Sequence, residues 1–126
     1  MKVHVILGFI TGLLLALSAA AHAFWGWPPL NAGLSASSVD ADLINALAVG
    51  WYFGSVSMLV FGVIVLGTAF KIFQGRAVSL LPVMVIAGGY LIFGLGAFFR
   101  NNFNMHFLLF VLTGILLAAF ATYKTD

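Results

Sequence analysis

Residues 43–70 read LINALAVGWYFGSVSMLVFGVIVLGTAF, with no charged side chain before Lys71. About 20 such residues cross the ~30 Å hydrocarbon core of a bilayer. As an α-helix this run reaches roughly 42 Å at about 1.5 Å per residue, so it is expected to tilt or to begin in the headgroup layer. Within it, Met58 to Leu66 is apolar on every side. A membrane-barrel strand would instead alternate apolar and polar residues. Lipid offers the backbone no hydrogen-bond partner, so the run must satisfy its own amides and is read as a helix.

Three further runs flank it. Val3 to Ala23 is interrupted only by His4, Thr11, Ser18 and His22; Ala77 to Phe99 and Phe103 to Tyr123 complete the set. The expectation is one all-α transmembrane domain over residues 1–126, an antiparallel four-helix bundle with helices at about 3–23, 41–72, 77–99 and 103–123. Pro28 and Pro29 are expected to end the first helix and open a loop over 24–39, because proline removes a backbone donor and clashes with the preceding turn. Pro82 is expected to bend the third helix. Gly75 reads as a helix C-cap, Ser37 to Asp40 as capping residues for the second helix, and Asn101 or Asn102 as the cap of the last.

The whole composition agrees. Hydrophobic residues make up 63% of the 126 and charged residues 6%, and glutamate is absent. So few charges cannot solvate a globule of this size, since a soluble domain carries about 25%. A soluble monomer, a disordered tail and a nucleic-acid binder are excluded. The net charge is only +2, and Lys2, Lys71, Arg76, Arg100 and Lys124 are scattered rather than clustered. Cysteine is absent, which removes disulfides, thiolate metal sites and thiol nucleophiles. With the N-terminus in the cytoplasm, four of the five basic residues lie inside and Arg100 alone outside, the bias of a bacterial inner-membrane protein with both termini cytoplasmic.

Residues 1–23 carry a second reading. Met1-Lys2 resembles a basic leader, Val5 to Leu17 an apolar core, and Ala21-His22-Ala23 a cleavage pattern. Cleavage there would leave three helices. Against it stands a stripe of small residues, Gly8, Gly12, Ala16 and Ala20, which close helix packing uses and a discarded segment does not need. Gly50 and Gly54 on the second helix and Gly114 on the fourth are expected to serve the same packing.

Polar candidates for function collect at the outer face: Asp40, Asp42, Asn45, Arg100, Asn101, Asn102 and Asn104. Asp40 and Asp42 do not share a helix face and read better as capping groups at a helix N-terminus than as paired catalytic carboxylates. Arg100 is expected to snorkel, or to pair with one of them. No metal site and no enzyme motif is found, and the mid-membrane stretch lacks ionisable groups, so no catalysis and no proton-coupled transport are expected. The first functional expectation is a non-catalytic accessory or scaffold subunit, its partners being the bilayer, another membrane protein or further copies of itself. An alternative is a redox subunit holding haem b or a quinone through His22 and His106, which an antiparallel bundle would place at one depth. A third is a small permeation unit formed by oligomerisation.

Overall fold

The computed structural model describes residues 3–122. Every regular element among them is helical: α1 Val3–Ala21, a π-helical turn His22–Gly26, α2 Trp27–Ala36, α3 Ala41–Phe73, α4 Leu81–Arg100, a 3₁₀ turn Met105–Phe107 and α5 Leu108–Thr122. Four continuous helical runs are long and apolar enough to cross a membrane: Val3–Ala36, Ala41–Phe73, Leu81–Arg100 and Met105–Thr122. The chain is an all-α multi-pass membrane protein.

Its packing divides into two compact units. One takes residues 3–12 and 64–122 of the described chain, the other residues 13–63. In the first, α4 and α5 form an antiparallel hairpin whose backbones approach at glycines. A Cβ on Gly94 would fall 2.8 Å from the Val111 nitrogen, and one on Gly114 would fall 2.7 Å from Leu91 Cγ and 3.1 Å from the Ala87 carbonyl oxygen. The start of α1 enters the same unit. A Cβ on Gly8 would meet Phe120 at 2.7 Å and Ala69 at 2.9 Å, and one on Gly12 would meet Leu66 at 2.7 Å. Segments of four helices therefore close around Val65, Ala69, Val83 and Leu117, all fully buried. Dispersion between closely approaching backbones holds such a core, because lipid removes the hydrophobic drive.

Several boundaries differ from those read in the sequence, and each difference has a local cause. Pro28 and Pro29 do not open a loop over 24–39; the chain stays helical to Ala36. In an α register these prolines would leave the Phe24 and Trp25 carbonyls without donors and press on the preceding turn. The wider π turn carries the chain past that clash, and the prolines then fall in the first turn of α2, where no amide donor is needed. The same rule places Pro82 in the first turn of α4, so this helix begins at Leu81 rather than 77, with the Ser79 hydroxyl accepting from the Leu81 amide at 3.3 Å.

The last helix begins late because the chain must first reverse. Asn102 and Phe103 both hold positive φ, 53° and 61°. The Phe103 amide donates to the Phe98 carbonyl at 2.9 Å, closing α4 with a left-handed cap. Asn101 caps this C-terminus through its side chain, which donates to the Ala97 carbonyl at 2.8 Å. The cap of the following turn is Asn104, which accepts from the His106 amide at 3.0 Å, and not Asn101 or Asn102 as the sequence suggested.

Candidate functional site

Within the unit of residues 13–63, the π turn and α3 build one polar arrangement. The Trp51 indole stacks on the His22 ring, with centroids 4.0 Å apart and planes 8° from parallel. The same indole donates from Nε1 to the His22 carbonyl oxygen at 2.7 Å. A π turn leaves carbonyls poorly matched to amide donors, and here the indole meets one of them. His22 Nδ1 lies 2.9 Å from the Ser55 hydroxyl oxygen. That hydroxyl also lies 3.2 Å from the Trp51 carbonyl one turn back, to which it can donate. Trp51 and Ser55 are four residues apart and share a face of α3, so one helix face grips the histidine at its backbone, its ring and one ring nitrogen.

Gly26 makes room for the indole: a Cβ there would fall 2.7 Å from Trp51 Cζ2. Trp27, 8% exposed, and Tyr52 continue the aromatic wall, with Trp27 centroids 6.0 Å from Trp51 and 6.1 Å from Tyr52. Ser55 is itself buried, at 6% exposure. Other hydroxyls in the apolar stretches behave differently. Those of Thr11, Ser57, Thr68 and Thr113 donate to the carbonyl four residues back at 2.8 Å and go no further. Such back-bonding silences a hydroxyl in an apolar medium. Among these five, Ser55 alone also reaches a side chain of another helix.

The remaining residues singled out in the sequence are dispersed. His106 belongs to the other unit, exposed in the 3₁₀ turn, its ring edge-on to Phe107 and Phe110. Asp40 caps α3, accepting from the Asp42 and Leu43 amides at 2.9 and 3.3 Å. Asp42 and Asn45 are exposed in the first turns of α3, and Arg100 is exposed in the last turn of α4. Gly8, Gly12 and Gly114 sit at close approaches, but Gly50 and Gly54 do not. A Cβ on Gly50 would meet nothing within 4 Å, and one on Gly54 would meet only His22 Cε1 at 3.7 Å. Among the described residues, no close backbone approach of the kind expected is therefore made at either position. Among the described residues, no three His, Cys, Asp or Glu side chains gather as a metal site.

Trp51 and Ser55 are the functional candidates that sequence reading passed over. The available signal was their i, i+4 spacing, since a tryptophan donor and a hydroxyl on one face of a lipid-embedded helix both need partners. No protein-family model, curated protein or solved structure matches the chain.

Proposed function

We propose that this chain is a small polytopic subunit of a bacterial inner membrane, without catalysis of its own, that works by packing against the helices of a partner membrane protein. The observation that carries this reading is the exposed face of α4. Leu81, Val85, Gly89, Ile92, Gly96 and Phe99 follow one another at spacings of four or three, so they share one helix face, and all are exposed. A Cβ on Gly89 or Gly96 would meet nothing within 4 Å. Glycine costs a helix interior about 1 kcal/mol relative to alanine. Lipid does not require that sacrifice, whereas a second helix seated in the two notches does.

A photo-crosslinking side chain at Val85 or Ile92, activated in native membranes, tests the reading. A discrete protein adduct is expected, and it should disappear when Gly89→Leu and Gly96→Leu fill the notches. Adducts to lipid alone, unchanged by the substitutions, would end the proposal. The placement of both termini in the cytoplasm rests on the excess of Lys and Arg on that side. The native chain has no cysteine, so single cysteines report sidedness cleanly. Gln74→Cys should react with an impermeant thiol reagent only from the cytoplasmic side, and Ser35→Cys only from the opposite side.

A further inference from the structure

We propose that His22, held by Trp51 and Ser55, is a binding site for the ring headgroup of a membrane-soluble quinone or quinol. Three contacts fix the histidine: the indole bond to its carbonyl, the stacked indole, and the Ser55 hydroxyl at Nδ1. Nε2 is left as its one polar atom without a hydrogen bond among the described residues. The ring is half-buried, not sealed. Beside its Cε1 edge stands Gly54, so backbone rather than a side chain borders the approach to Nε2. A histidine oriented by its other nitrogen and left open at one atom is built to meet a ligand.

The Ser55 hydroxyl decides which ligand chemistry fits. It has one proton and two acceptors in reach, the Trp51 carbonyl at 3.2 Å and His22 Nδ1 at 2.9 Å. With its proton on the carbonyl, it accepts from Nδ1–H, and Nε2 carries a lone pair suited to a quinol O–H. With its proton turned to Nδ1, the other tautomer applies, and Nε2–H suits a quinone carbonyl. Rotation of this hydroxyl, together with exchange of the imidazole proton between Nδ1 and Nε2 through water, thus matches the site to either redox form without moving a heavy atom of the protein. His22 is the only histidine of its unit. One hydrogen bond suffices for a headgroup, whereas a six-coordinate haem needs a second axial ligand. Tyr52, exposed, and Trp51, half-buried, supply flat apolar surface of the kind that ring ligands favour, with the buried Trp27 ring behind them.

The test is titration of the full chain, in lipid nanodiscs, with a decyl-substituted benzoquinone and separately with its quinol, followed by calorimetry. Saturable binding of both is expected. His22→Ala should weaken it about tenfold or more, the scale of one lost hydrogen bond in an apolar site. Gly54→Leu keeps Ser55 and Trp51 in place while covering the edge at Cε1, so it should abolish binding with helix content and melting temperature unchanged. Ser55→Ala should alter the ratio of quinone to quinol affinity, which a purely structural role would not. Equal binding by wild type and Gly54→Leu would overturn the site. A Soret band in the purified protein, lost in His22→Ala, would overturn the ligand class in favour of haem. None of these outcomes depends on the partner-helix reading of α4.

Discussion

Gly26 and Gly50 carry the same side chain for opposite reasons. The indole of Trp51 occupies the space a Cβ on Gly26 would need, at 2.7 Å, while a Cβ on Gly50 would stand clear of everything within 4 Å. An indole pinned by a hydrogen bond on one side and a stacked ring on the other cannot yield cheaply. Gly26→Ala is therefore expected to cost about 1–3 kcal/mol, the range for overpacking a tight site. It should also move the Trp51 indole N–H resonance upfield, as the 2.7 Å bond to the His22 carbonyl lengthens. Gly50→Ala should leave that resonance in place and raise stability by up to about 1 kcal/mol through helix propensity. Thermal unfolding in detergent and NMR of the indole protons would check the pair. A Gly26→Ala protein with the native indole shift would show that Trp51 has slack the geometry does not suggest.

At the scale of elements, the connections explain what was legible in the sequence and what was not. The turn after α3 was readable because it is wholly local. Gly75 has φ +74°, its amide donates to the Ile72 carbonyl at 2.9 Å, and the Arg76 amide donates to the Lys71 carbonyl at 3.0 Å. These are the two bonds of a Schellman cap, and glycine is the residue that takes the left-handed position without strain. Gly75→Ala should cost about 1 kcal/mol and speed hydrogen exchange at the Arg76 amide more than at amides in the middle of α3. The Pro28-Pro29 pair was misread because proline's local meaning depends on register. Two prolines inside an α-helix break it, but after a π turn they begin a new helix, and no apolar periodicity announces a π turn. The four apolar runs needed only composition and length. The grip on His22 needed the pairing of residues 29 and 33 positions apart, which a single sequence does not encode visibly.

At the scale of the molecule, residues 3–23 are the decisive segment, because each unit draws on them separately. In the unit of residues 3–12 and 64–122, Gly8 and Gly12 are the surfaces against which Phe120, Ala69 and Leu66 pack, and Thr11 is fully buried. In the unit of residues 13–63, His22 supplies the acceptor for the Trp51 indole and the partner of the buried Ser55 hydroxyl. Lipid tails can refill apolar space, but they cannot accept a hydrogen bond. A chain starting at Phe24 leaves the indole N–H without its acceptor in an apolar medium, a loss of about 1–3 kcal/mol by protein mutational data. It also removes the shape that close packing requires. Such a truncated chain should extract from membranes as a polydisperse species and melt well below the full-length protein, by a larger margin than Gly75→Ala. By the same reasoning, the intact mass of the protein purified from its native membrane should include residues 1–23. A native mass beginning at Phe24, joined to a truncated chain as monodisperse and heat-stable as the full length, would mean that the contacts of Gly8, Gly12 and His22 add nothing to stability, and would remove the His22 site with them.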